Sequence, residues 1–422
     1  MSVSKRFLWV VASLVCAGQA WAQVANSPFT QSGIGQTYTD ALANTQGMGG
    51  VGVSNPQYWY VNNQNPALLV YNTITTIQAG ILGESVKTTN GTSVEKNRGG
   101  NMNYLVMAFP ALRSKKRPSI ITWTTSTGLM PYSSVNYKIQ YLSTVDGSQL
   151  LSPTTQQGTG GLTQLYWSNG VRINKNFSVG LKATYLFGSL NTSTRLQATY
   201  VSTGELKNTV KGVNFSLGGS FSKDSLFGRD YRLSIGAVYQ FAADPRAHLK
   251  NKTALLDNRG DTLQSVNVLT TYGNMHLPSA ITAGVSFGTT KWTFGTEFHY
   301  QDWSSFQSLN TTDENGSGKS WRMAAGGELT PNQFAPENLL QRLTYRVGGS
   351  IEQYPFLGNG QPIKDVGINF GLSVPAGKSS MDLGFKIGKR GDTSKNILEE
   401  NYFKLFFGIT FNDQWFIKRR FD

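Results

Sequence analysis

From residue 73 onward one pattern recurs: apolar and polar residues alternate over runs of about ten positions, separated by short stretches rich in glycine, asparagine and lysine. The last run shows it most clearly, with Phe403, Leu405, Phe407, Ile409 and Phe411 on one face and Lys404, Gly408, Thr410 and Asn412 opposite. A period of two is that of a β-strand with one greasy face. Hydrocarbon cannot satisfy unpaired backbone groups, so a chain built of such strands, with no apolar run of about 20 residues, crosses a membrane only as a closed barrel. The runs fall at 73–88, 99–110, 119–144, 160–173, 177–201, 206–222, 231–247, 276–288, 291–306, 320–330, 343–355, 363–375, 379–390 and 400–412. They number fourteen, which is even and brings both ends to the same side.

The connections sort by length. Those after even-numbered runs are mostly tight, as at 174–176, 289–290 and 376–378, whereas those after odd-numbered runs include 90–98, 145–159, 310–318 and a long loop at 246–274. Tight turns belong to the periplasmic side and long loops to the outside. The segment 331–342 breaks the rule and reads as a short helix opened by Pro336, with Glu337 in its first turn. Residues 23–72 lack the alternation and are rich in Gly, Asn and Gln, with a short helix expected at 38–46. They read as a plug inside the barrel, giving the division 1–22 signal peptide, 23–72 hatch, 73–413 barrel and 414–422 basic periplasmic tail.

Parity assigns the faces. Trp292, Phe294, Phe298 and Tyr300 point to lipid, which sends Glu297, His299 and Gln301 into the lumen; Met381, Leu383, Phe385 and Ile387 point to lipid, which sends Asp382 and Lys386 inward. Many inward positions are glycine, among them Gly180, Gly188, Gly236, Gly284, Gly295, Gly384 and Gly408. A barrel of this size is too wide for its own side chains to fill, so small inward residues leave room for an enclosed segment or a ligand.

Composition adds the address. Lys5 and Arg6 precede an apolar run at 7–17, and Ala20, Trp21 and Ala22 supply the small-x-small pattern of signal cleavage before Gln23. The protein is therefore expected to be exported to the Gram-negative outer membrane. Cys16 is the single cysteine and leaves with the signal, so the mature chain has neither disulfide nor thiolate chemistry. The formal charge of +14 falls to +12 without Lys5 and Arg6. Its densest clusters, Arg113, Lys115, Lys116 and Arg117 and then Lys418, Arg419 and Arg420, lie in a tight turn and at the extreme C-terminus. That placement fits lipid headgroups at a barrel rim and no nucleic acid.

Gly47, Gly49, Gly50 and Gly52, followed by Asn65, Pro66 and Ala67, resemble the hatch of the FadL/TodX long-chain fatty-acid transport family, in its divergent Bacteroidota form. Leu277 and Pro278, Gly284, Trp292 and the pair Asp302 and Trp303 resemble that family's central strands. The resemblance spans the mature chain. It implies passive transport of a hydrophobic or amphipathic molecule through a hatch-gated, porin-like barrel, with lateral exit where the third strand kinks inward. Here that strand carries Gly128 and Pro131, and proline lacks the ladder donor. The pair either opens the wall or makes a bulge that shapes the loop above it. Arg246, Lys250, Lys252 and Arg259 in the long loop would meet a carboxylate head or lipopolysaccharide phosphates. FadL-like barrels of this group also serve as accessory subunits docked to a large type IX secretion translocon barrel, and a strip of small or polar lipid-facing residues would mark that role.

Enzymatic motifs dissolve on inspection. The G-x-G-x-x-G of Gly47, Gly49 and Gly52 follows no strand, and the G-x-S-x-G around Ser286 sits in unbroken alternation with no elbow. The run from Tyr166 to Gly170 echoes the H-x-S-N-G of an outer-membrane phospholipase, but Tyr166 replaces the base. His248, His276 and His299 have no partner at ligand or triad spacing. The expectation is a non-enzymatic chain with no metal and no cofactor.

Overall fold

The computed structural model describes residues 24–113, 121–144, 151–198, 200–226, 230–257, 262–309, 318–335, 338–358 and 360–413. Residues 1–23 with Cys16, the cationic turn residues 115–117, Arg259, Pro336 with Glu337, and the C-terminal tail lie outside them. A two-residue strand β1 (Gln36–Thr37) precedes β2 (Thr75–Thr89), β3 (Val94–Arg113), β4 (Ile121–Thr144), β5 (Leu151–Arg172), β6 (Phe177–Gln197), β7 (Val201–Leu226) and β8 (Tyr231–Gln240). A hairpin, β9 (Arg246–Leu256) and β10 (Thr262–Asn274), leads to β11 (Ala280–Gly288), β12 (Trp292–Asp302), β13 (Lys319–Leu329), β14 (Thr344–Gly358), β15 (Gln361–Ala376), β16 (Ser379–Gly391) and β17 (Glu399–Asp413).

Strands β2–β8 and β11–β17 make a closed antiparallel barrel of fourteen strands. It closes where β17 pairs with β2, from Glu399↔Thr89 to Asp413↔Thr75, and continues across the hairpin insertion by pairing β8 with β11. Closure removes the sheet edges that lipid would not tolerate. The face assignment by parity holds: Phe294, Phe298, Ile387, Phe403 and Phe411 are exposed, while Glu297, Gln301 and Asp382 are buried.

Several expectations need correction: the loop expected at 145–159 is strand from Leu151 onward, paired with β4, and the helix expected at 38–46 covers only Ala43–Gln46. The segment 246–274 is a hairpin rather than a loop, because β7 runs past the end of β8 and its free upper half, Val201 to Lys211, pairs with β9. For the same reason the strand expected at 231–247 stops at Gln240. The loop expected at 90–98 shrinks to a tight turn in which the Asn90 side chain accepts from the backbone of Thr92 and Ser93, at 3.1 and 2.8 Å, so Val94 already belongs to β3. In 331–342 the helix covers Leu339–Arg342, capped by Asn338.

Residues 24–74 pack against the inward face of the wall, and the inward glycines are where they touch it. A Cβ on Gly180 would come within 2.4 Å of Pro66, one on Gly236 within 2.0 Å of the Val53 carbonyl oxygen, and one on Gly348 within 2.3 Å of the Met48 backbone. Gly348→Val should therefore lower thermal stability by about 1–3 kcal/mol through overpacking. Gly327→Val, on the lipid face with its nearest neighbour at 3.4 Å, should be close to neutral in the same unfolding measurement.

Candidate functional site: a filled lumen and an interrupted wall

The glycine-rich motif lies against the inner wall of β12–β15. Gly49 and Gly50 take φ of +73° and +82°, the left-handed region that glycine adopts without a Cβ penalty. The turn they make aims two amides just beyond Val51 at one side chain: Gly52 N and Val53 N both donate to Glu297 Oε2, at 2.9 Å each. Arg322 on the adjacent strand pairs with Glu297 at 3.4 Å and donates to the Gly49 carbonyl. Both side chains are almost fully buried. A buried carboxylate is stable here because two amides and a guanidinium answer it.

Asn65 N-caps the 3-10 helix Pro66–Tyr71 by accepting from Ala67 N at 3.0 Å. Its amide nitrogen donates to the Val53 carbonyl at 2.8 Å and to the wall at Gly219 O, 3.1 Å. Pro66 packs where the wall has Gly180 and Gly218. Asp40 receives Lys182 Nζ at 2.6 Å and Gln164 Nε2 at 2.8 Å, Tyr60 donates to Asp382 at 3.0 Å, and Ala25 N donates to Glu84 at 2.8 Å. Burial, then the nearby Asp382 carboxylate, pushes the Tyr60 phenol up to about 12, so it remains a donor. Lumenal acids and amides thus serve as sockets for the backbone of the N-terminal segment.

The third barrel strand, β4, carries Gly128 and Pro131 and is continuous, but its pairing with β3 is incomplete. Pairing of β3 with β4 runs from Arg113↔Ile121 to Leu105↔Leu129 and no further among the described residues. Beyond it, β4 slips register against β5 between Pro131 and Ser133. Its exposed edge is taken by β1, with Gln36 opposite Ser134 and Thr37 opposite Ser133, and by Tyr38 N donating to Tyr132 O at 3.0 Å. The Tyr38 hydroxyl bridges the seam, donating to Ser134 Oγ at 3.2 Å and accepting from Asn101 of β3 at 3.5 Å. Gly128 lies where a Cβ would meet Val106 at 2.6 Å and Tyr166 at 2.8 Å.

Two further features fill the lumen. Towards the loop end, Ile34 of the N-terminal segment packs with Leu186, Val210, Trp303, Phe306 and Phe356 in an apolar cluster. Below it lies a cavity of about 160 Å³ lined by Tyr38, Asp40, Lys182, Asn214, His299 and Glu352, among others. His299 shares a 2.9 Å hydrogen bond with Thr282. Lys386 belongs elsewhere: it pairs with Asp365 at 3.4 Å in a wall network with Arg390, Glu400 and Tyr402. Tyr166 bonds Ser126 at 3.1 Å. Sequence reasoning missed Arg322, Asp40 and Lys182; Arg322 and Lys182 are charges at inward parity of β13 and β6, the one signal that marks them.

A closed antiparallel barrel of fourteen strands is the fold of the FadL-type outer-membrane barrels. Solved structures agree: the Ralstonia pickettii toluene transporter TbuX superposes with a TM-score of 0.58 at 14% identity, covering 89% of this chain and 99% of that one. A Pseudomonas aeruginosa FadL homologue gives 0.58 at 12% identity, covering 89% and 98%, and the Pseudomonas putida toluene transporter TodX gives 0.56–0.55 at 14–15%, covering 90% and 99%. Identities this low establish the fold and leave the cargo open. The chain belongs to the BamG family, whose model matches residues 3–422. No curated protein matches it.

Proposed function

We propose that this barrel is a passive outer-membrane route for amphipathic small molecules, which leave the lumen sideways between β3 and β4 when the N-terminal segment shifts. The observation that carries the reading is the wall itself: above Leu105↔Leu129 the two strands are joined through β1 and Tyr38 instead of through each other. A strand belonging to the plug is held there by a few backbone hydrogen bonds, each worth about 0.5–1.5 kcal/mol net. Such a seam opens at far lower cost than a continuous ladder. The structural neighbours are described as toluene transporters and monoaromatic hydrocarbon channels, which supports small-molecule traffic through this architecture.

Uptake of a labelled amphiphile by cells lacking the gene, with and without the restored chain, tests the reading. Restored uptake that is unaffected by removing energy sources is expected; equal uptake with and without the protein sinks it.

A second reading, an accessory barrel docked in a larger outer-membrane assembly such as a secretion translocon, is favoured by one strip of the outer wall. Thr296, Ala325 and Gly349 are consecutive cross-strand partners on β12–β14 and face outward among Phe294, Phe298, Met323 and Ile351. Mass spectrometry after gentle purification separates the two: a large barrel protein at fixed ratio supports docking, and a stoichiometric amphiphile without a protein partner supports transport.

A further inference from the structure

The lumenal cavity holds polar groups that the plug leaves unanswered. Asn214 of β7 lines it, is 4% exposed, and has neither amide atom hydrogen-bonded. Glu352 of β14 lines it too and makes no hydrogen bond or ion pair among the described residues. Both cations of the cavity are already engaged: Lys182 by Asp40 at 2.6 Å and by the Tyr166 ring at 4.5 Å, Arg322 by Glu297 at 3.4 Å. An arriving carboxylate would find no free cation and would face Glu352. A bare hydrocarbon would leave the Asn214 amide stranded, and buried polar groups without partners are costly.

Apolar surface adjoins the same space. Leu186 lines the cavity and belongs to the cluster of Val210, Trp303, Phe306 and Phe356, while Tyr132 lines the cavity and packs against that cluster. Thr37 and Tyr38 complete the lining from the β3–β4 seam. We propose that this cavity is a binding site for the head group of an amphiphile, one rich in hydrogen-bond donors and carrying no negative charge, with its apolar tail directed at the Trp303 cluster. Hydroxyl and ammonium heads share that chemistry. Asn214 accepts from and donates to the head, Glu352 accepts from it, and Gln240 and Tyr132 line the same space. The proposal rests on the transport reading and narrows its cargo, moving it away from fatty acids.

The test uses the full chain in lipid nanodiscs and four probes with related tails: octyl glucoside, octylamine, octanoate and octane, with binding read at equilibrium by native mass spectrometry. Octyl glucoside and octylamine should bind saturably and at least tenfold tighter than octanoate or octane. Asn214→Leu should weaken octyl glucoside about tenfold, and Glu352→Gln should weaken octylamine while improving octanoate. Heat-modifiable mobility on gels checks that each variant is folded, and if Asn214→Leu fails that check Asn214→Ala takes its place. Octanoate or octane binding as tightly as octyl glucoside overturns the proposal, as does a cavity that takes up water and none of the probes. Because no flux is measured, the two readings separate. Selective binding without cellular uptake would leave the site standing and remove transport, whereas uptake of octanoate without selective binding would remove the site alone.

Discussion

Glu297→Ala should release the N-terminal segment from the barrel while leaving the barrel closed. The substitution strands the amides of Gly52 and Val53, each now bonded at 2.9 Å, and leaves the buried Arg322 guanidinium without its carboxylate. Breaking a buried pair by removing one member costs about 3–5 kcal/mol, because the remaining charge stays desolvated. The barrel ladder does not pass through Glu297's side chain, so the loss falls on the plug. Limited proteolysis should cut within 24–74, and ion conductance across planar bilayers should rise severalfold over wild type. Glu297→Ala combined with Arg322→Ala should be milder than Glu297→Ala alone, since no unpaired charge remains. Wild-type protease resistance in the single variant would show that the other sockets, Asp40 with Lys182 and Tyr60 with Asp382, hold the plug without Glu297.

Cross-linking β1 to β4 should block passage. Gln36 and Ser134 are direct partners at the seam, and the sequence's single cysteine is Cys16, so a Gln36→Cys, Ser134→Cys pair made in a Cys16→Ser background forms a disulfide without competitors. With the plug strand tied to the wall, uptake of an amphiphile should fall at least tenfold under oxidising conditions and return on adding reductant. The reversal matters, because it excludes damage to folding. Uptake that is indifferent to the disulfide would mean that cargo, if any, leaves by another route, and the seam would then be a structural repair of a strand kinked at Gly128 and Pro131.

Much of this was legible residue by residue. The alternation of Phe403, Leu405, Phe407, Ile409 and Phe411 marked β17 and its lipid face, and the same parity sent Glu297, Asp382 and Lys386 inward, where they lie. Gly128 and Pro131 lie on the strand whose pairing with β3 stops short. The hairpin β9–β10 was not legible, because its partner is the upper half of β7, which continues in extended form only because another segment is there to pair with it. Nor was the role of Glu297, whose partners lie 245 and 244 residues away at Gly52 and Val53.

The sequence by itself determined a barrel of fourteen strands, the face each strand shows to lipid, and a non-alternating N-terminal segment with glycines to receive it. Those are consequences of a period-two pattern in a solvent that tolerates no unpaired backbone. Tertiary structure decided that the segment's backbone amides and carbonyls dock on Glu297, Arg322 and Glu84, that β1 completes the wall where β3 leaves β4, and that Asn214 and Glu352 face one enclosed space. These depend on groups far apart in the chain meeting across a lumen, and hydrogen bonds between them follow from three-dimensional closure, which no local pattern encodes.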